Sequence, residues 1–224
     1  VWHWTELTTL GLGLRYNYEE ISADVQDFSA HTRVNGNDAD GVWLGKLSLQ
    51  HQVLEDTMGY ANVATGYKGQ AFDTTPFDEN KAQNPVQPEE SINYEVGVKS
   101  IFFERRVQMD TAIFYTNYDD FQAQDFRAKD DGTADVRLLN VGKLQTYGVE
   151  LDSAVLVTDN LRLGVNAAYT HAEVTEWDNA PCYPQQTAAQ GCDTVGNVDP
   201  AGSVVYVQGS AKGNTLPSAP RWKY

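Results

Sequence analysis

No run in these 224 residues approaches the roughly 18 consecutive apolar positions that a membrane-crossing helix requires, and the mean hydropathy is −0.47. A helical membrane protein is thereby excluded. Basic residues are also scarce, with 16 Lys and Arg against 31 Asp and Glu and a formal net charge of −15. Such a surface argues against nucleic acid as a partner, because phosphate binding needs clustered positive charge. The four histidines, His3, His31, His51 and His171, are scattered with no metal-ligand spacing. There is no G-x-S-x-G elbow, no phosphate-cradling glycine loop and no H-E-x-x-H helix, and no nucleophile stands beside a base. The reading is therefore of a protein that is not an enzyme and that carries no cofactor or metal centre.

What the chain does have is a strict alternation between very short and very long connections. Seven stretches read as strands. Leu54 to Asp56, Glu104 to Arg106 and Thr158 to Asn160 are tight links, and they fall at every second junction. Between them lie long polar excursions, Glu19 to Gly41, Gly69 to Glu89, Ala123 to Leu139 and Glu176 to Asn214. A soluble sandwich has no reason to put all short turns at one end, whereas an outer-membrane barrel has short periplasmic turns and long external loops.

Within the strands the side chains alternate with period two. Leu10, Leu12, Leu14, Tyr16 and Tyr18 share one face, opposite Gly11, Gly13, Arg15 and Asn17. Tyr94, Val96 and Val98 oppose Glu95, Gly97 and Lys99, and Leu161, Leu163, Val165, Ala167 and Tyr169 oppose Arg162, Gly164 and Asn166. No helix sorts residues this way. Charges on the polar face, among them Arg15, Glu95, Lys99, Asp110, Glu150, Asp152 and Arg162, are costly in a sandwich core but ordinary inside a wet barrel. A soluble sheet whose polar face meets solvent shares the alternation. Phe114 on the polar face, Ser153 on the apolar one and the irregular segment from Thr57 to Tyr67 break the pattern. The expected fold is all-β, an antiparallel up-and-down transmembrane β-barrel of which this chain supplies about seven to eight strands.

Aromatic residues near the strand ends, such as Tyr16, Tyr18, Tyr67, Phe102, Phe103, Tyr115, Tyr118 and Tyr169, suit interfacial girdles. Acidic residues gather in the long connections, at Asp38, Asp40, Asp73, Asp78, Glu79, Asp119, Asp120, Asp125, Asp130, Asp131 and Asp135. Asn37-Asp38-Ala39-Asp40-Gly41 and Asp130-Asp131-Gly132 look like fragments of calcium loops, yet neither has the late glutamate of an EF-hand. Cys182 and Cys192, the two cysteines, both lie in the last connection, which would face outward where disulfides persist. A loop-stapling bridge is the favoured reading; a metal pair is the weaker one, as no histidine lies in that loop.

Certain segments resemble the C-terminal half of the barrel of TonB-dependent outer-membrane receptors. They are Pro88-Glu89-Glu90-Ser91-Ile92-Asn93-Tyr94-Glu95-Val96-Gly97-Val98-Lys99-Ser100, Tyr60-Ala61-Asn62-Val63-Ala64-Thr65-Gly66-Tyr67-Lys68-Gly69, Asn140-Val141-Gly142-Lys143 followed by Tyr147-Gly148-Val149-Glu150-Leu151-Asp152, and Leu216-Pro217-Ser218-Ala219-Pro220. Their order and spacing cover most of residues 43 to 224. The resemblance implies that residues 1–224 are part of one barrel domain, with the plug domain and terminal strands absent from this sequence. It further implies an outer-membrane importer of a scarce ligand such as a ferric siderophore, coupled to the TonB energy system through the missing plug and embedded in outer-membrane lipid. Barrels of this kind have about 22 strands and a plugged lumen. The alternative is a complete eight-stranded barrel with a structural or adhesive role. Ligand contacts are expected from loop residues that combine aromatic faces with polar groups, namely Tyr67, Lys68, Phe72, Phe121, Arg127 and Trp177.

Overall fold

The computed structural model describes the chain apart from residues 28–30, 74–83, 129–133, 179, 183–185, 193, 199–203 and 217–218; side chains at 27, 32, 125–128, 134–137, 181, 194–198 and 204–208 are also outside the description. Seven long strands form the body: β2 (Thr8–Asp27), β3 (Thr32–Leu54), β4 (Thr57–Lys68), β5 (Glu89–Phe102), β6 (Val107–Asp119), β9 (Lys143–Thr158) and β10 (Leu161–Glu176). With the short strands β1 (Trp2–His3) and β14 (Trp222–Lys223) at its ends, they make one nine-stranded sheet in the order β1-β2-β3-β4-β5-β6-β9-β10-β14. Every neighbouring pair is antiparallel. The three tight links join β3 to β4, β5 to β6 and β9 to β10, as the alternation requires.

The external connections are more ordered than their polarity suggests. Instead of a loop from Glu19 to Gly41, the β2–β3 ladder continues without a register shift from Glu19↔Asp40 to Asp27↔Thr32. The reason lies in Ile21, Ala23, Val25 and Val34, which keep strand propensity and alternation. These apolar residues fall on the face opposite to that of Leu10 to Tyr18, so the alternation changes phase. Likewise the segment Ala123 to Leu139 contains a second hairpin, β7 (Gln122–Ala128) against β8 (Ala134–Asn140). The last connection holds β11 (Ala180–Pro181), β12 (Thr194–Val198) and β13 (Val204–Gly209), paired in the order β11-β13-β12, with a 3₁₀ turn at Ala188–Gln190.

Large apolar side chains on one face of the body lie bare. Leu12 is 78% exposed, Trp43 63% and Ile113 57%, and Leu14, Leu47, Val96, Val149, Leu163 and Val165 are exposed beside them. A face this apolar has water as the wrong solvent, and a single-layer sheet gives it no second layer. Lipid satisfies it. The register then places Tyr94, Tyr115, Tyr147 and His171 in one row across four strands. One step further out the same face becomes polar: Tyr115 donates to Asn117 Oδ1 and Gln145 Oε1, both at 2.9 Å, and Gln145 Nε2 donates to Glu173 Oε1 at 2.6 Å. An aromatic row bordered by a polar one is the outer edge of a membrane band.

Phe114, out of pattern by sequence, sits opposite Gly148 and lays its ring over that residue, while Tyr60 covers Gly97 in the same way. On a curved sheet, a ring over a cross-strand glycine fills the space the missing side chain leaves. Ser153, the apolar-face exception, donates to the Gln108 carbonyl at 3.3 Å. Helices long and apolar enough to cross a membrane do not occur among the described residues.

Candidate functional site

Among the described residues a hydrophobic cluster of buried side chains sits at the outer end of the sheet, made of Leu144, Val174, Ala180 and Ala211 with Tyr118, Phe121, Trp177 and Leu216 packed against it. Leu144 and Val174 come from β9 and β10, Ala180 from β11, and Ala211 follows β13. Burial of these groups therefore binds the last connection down onto the barrel rim. Cys182 and Cys192 are bridged within that connection, with Cα atoms 5.8 Å apart and Cys192 fully buried. Trp177 takes part through its backbone too, its carbonyl accepting from Ala211 N–H at 2.8 Å.

The residues expected to meet a ligand fall into two groups. Phe121 and Trp177 belong to the rim cluster, Phe121 lying edge-on to Tyr118 at 6.3 Å between centroids. On the other side, at the end of β4, Tyr67 donates to Glu19 Oε1 at 2.9 Å and to Asp40 Oδ2 at 3.3 Å. Burial, and then the Glu19 carboxylate, hold this phenol above its ordinary pKa. Lys68 stands 3.6 Å from Glu89 and keeps over half its side chain exposed. Phe72 borders a recess of about 320 Å³ against Ile21, Ala23, Val25 and Gln70. Arg127 is in β7 opposite Asp135, its side chain outside the described residues. Asp78, Glu79, Asp130 and Asp131 of the acidic connections, and with them the Asp130-Asp131-Gly132 fragment, also lie outside the described residues.

Polar residues that sequence reasoning did not select join the two groups. Gln122, 5% exposed, donates its backbone N–H to Glu89 Oε2 at 3.0 Å and its side-chain amide to the carbonyls of Gly69 and Gln87 at 2.8 and 2.9 Å. Glu89 is 8% exposed and is the residue that pairs with Lys68. Gln70 donates its N–H to Glu19 at 2.8 Å and its amide to Asp38 at 2.9 Å. Asn37 to Gly41 is thus extended strand in β3 rather than a metal-wrapping loop. Among the described residues no group of three or more His, Cys, Asp or Glu side chains is arranged to hold a metal ion. At the outer end of β9, Asp119 hydrogen-bonds Lys143 at 3.2 Å and raises its pKa.

The inner face is polar. Lys99 lies 3.5 Å from Asp110 and 5.9 Å from the Tyr60 ring centroid, and Asn62 donates to Glu95 at 3.3 Å. Tyr60, Lys99 and Asp110, with Glu150, Asp152 and Lys223, line an open recess of about 520 Å³ in which three acidic side chains face two lysines. An apolar outer face, a charged inner one and a structured rim describe part of the wall of a membrane β-barrel. The model of the TonB dependent receptor-like β-barrel family matches residues 1–224.

The chain belongs to that family. TonB-dependent receptors are proteins of the Gram-negative outer membrane, receptors and transporters rather than enzymes. The pesticin receptors of Yersinia enterocolitica and Yersinia pestis are 27% and 28% identical over 177 residues, 78% of this chain and 25% of theirs. This chain thus spans about a quarter of the length of the curated relatives it matches. Among solved structures, the ferric yersiniabactin uptake receptor FyuA from Yersinia pestis superposes with a TM-score of 0.68 at 24% identity, over 99% of this chain and 28% of that one. The siderophore receptor PiuA from Acinetobacter baumannii gives 0.68 at 20% identity, over 98% and 28%. The copper transporter OprC gives 0.64 at 18%, over 80% and 29%. These likenesses concern the fold.

Proposed function

We propose that this TonB-dependent receptor segment forms part of the wall and the external rim of a longer importer for a scarce ligand, a ferric siderophore. The family match across the whole chain carries the reading. Iron uptake is favoured over other cargo by structural neighbours whose names specify ferric yersiniabactin or siderophores. The importer would couple to TonB through a plug domain filling the lumen, and this chain's polar inner face is suited to a folded, hydrated occupant. Tyr67, Lys68, Phe72, Phe121, Arg127 and Trp177 are the rim residues assigned to the ligand, Phe121 and Trp177 serving also as rim packing.

The test is uptake. The full-length receptor, produced in a Gram-negative strain deleted for its own siderophore receptors, is given radiolabelled ferric siderophores of the catecholate, hydroxamate and yersiniabactin types, with copper(II) as the competing cargo. Energy-dependent accumulation of one ferric siderophore is the expected result. Accumulation of copper alone, or of none, overturns it.

A further inference from the structure

We propose that Gln122 is a positioning residue that ties the base of one external connection, residues 69–73 and 84–88, to the base of the β7–β8 hairpin at Gln122 and Asn140, as one fixed part of the ligand mouth; the inference rests on the rim being that mouth. Its side-chain amide donates to Gly69 and to Gln87, which stand at the start and near the end of the same connection. The two ends are already held together by the Lys68–Glu89 pair and the Ala71–Val86 bridge, and the buried amide joins this closed base to the hairpin.

Asn140, the register partner of Gln122 on the other strand of the hairpin base, repeats the device. Its amide donates to Gln87 at 2.9 Å and to the Asp120 carbonyl at 2.7 Å, and its Oδ1 accepts from Gln87 N–H at 2.8 Å. A further tie runs from Leu138 N–H to Asp73 Oδ2 at 2.9 Å. Packing alone would place an apolar residue at a position 5% exposed, since a buried amide gains little net stability even when its bonds are made. What a satisfied buried polar network adds is one defined geometry. That geometry reaches the residues assigned to the ligand: Gln122 N–H holds the Glu89 carboxylate that Lys68 faces, and Phe121 precedes Gln122 in the chain. A mouth already set in its binding shape loses less freedom when the ligand arrives.

The experiment uses the full-length receptor in lipid vesicles, comparing Gln122→Met, which keeps side-chain length and the backbone bond to Glu89, with the wild type. Asn140→Ala attacks the same tie from the other strand and serves should Gln122→Met fail to assemble. Amide hydrogen exchange without ligand should rise together in residues 84–88 and 138–141, by about tenfold for two lost buried bonds, and stay constant in β5 and β6. Titration with ferric yersiniabactin should show about tenfold weaker binding, from loss of preorganisation, at an unchanged melting temperature. Unchanged exchange overturns the tie. Raised exchange with wild-type affinity overturns the positioning role and leaves ordinary loop bonds. A wild-type receptor that neither binds the probe nor imports any siderophore sinks the proposed function, and the positioning role with it, while the exchange data still show whether the tie exists.

Discussion

Gly142 shows how a single residue can be required by its surroundings. Its φ is +99°, and the backbone of Glu176 crosses where a Cβ would stand. Its carbonyl also accepts from Phe121 N–H at 3.0 Å, which holds the start of the hairpin against the rim. Gly213 has a similar φ of +82° but open space around it. Alanine at Gly213 meets only the conformational penalty, about 1 kcal/mol, whereas alanine at Gly142 adds a collision with fixed backbone and costs upwards of about 2 kcal/mol. Urea unfolding of the two variants in detergent micelles checks the order, and equal losses would refute the collision. Residue roles at the rim were the least legible part of the sequence. Phe121 and Trp177 are aromatic residues in polar connections, a type that serves ligand and packing alike; their packing partners Leu144, Val174 and Ala211 come from β9, β10 and the segment after β13. Glu89 stands in a segment that carries the family resemblance, but neither it nor Gln122 shows its role at the rim, since a buried polar network is a property of three segments meeting and leaves no local pattern.

At the scale of elements, the strands inside the membrane were readable because lipid and lumen impose opposite demands on alternate residues. Beyond Tyr18 the alternation changes phase, with Ile21, Ala23 and Val25 on the opposite face, and the polarity of this stretch reads as a loop. Its outer part is instead held by backbone bonds and by cross-strand pairs such as Arg33 with Asp24, where Nε donates to Oδ1 at 2.7 Å and Nη2 also bonds the carboxylate. The Arg33 hydrogen bonds lower the Asp24 pKa from its ordinary 3.8. A depressed carboxylate stabilises the native hairpin above the ordinary value, and the contribution disappears as the pH falls through the lowered native value. Amide protection at residues 22–26 and 33–37 should therefore be constant from neutral pH to about pH 5 and decline only below 3.8. Asp24→Asn should show the decline already at neutral pH, after correction for intrinsic exchange. An unaltered tip in Asp24→Asn would mean that the ladder alone holds it.

The body of the molecule is one nine-stranded layer, with the two small sheets confined to its outer end, and this explains its legibility. With no second layer, each strand reports directly on two solvents, so period and turn length were enough to read the body of the sheet. The same arrangement makes a strong prediction about adjacent faces. Val98 lies on the bare outer face, 46% exposed, at a height where Thr111 and Leu151 are its register neighbours across β6 and β9. Ala112, one residue along β6, lies on the inner face opposite Glu150. A lysine at Val98 must carry its charge into hydrocarbon, at a cost of about 2–4 kcal/mol near the midplane. A lysine at Ala112 enters a wet, acidic recess and finds a carboxylate beside it. Val98→Lys should cut the amount of folded, heat-modifiable receptor in isolated outer membranes severalfold, and Ala112→Lys should leave it near the wild-type level. In a water-soluble sheet the order would invert, because an exposed lysine replacing a bare valine improves solubility, so the same two variants decide between lipid and water as the medium of this face.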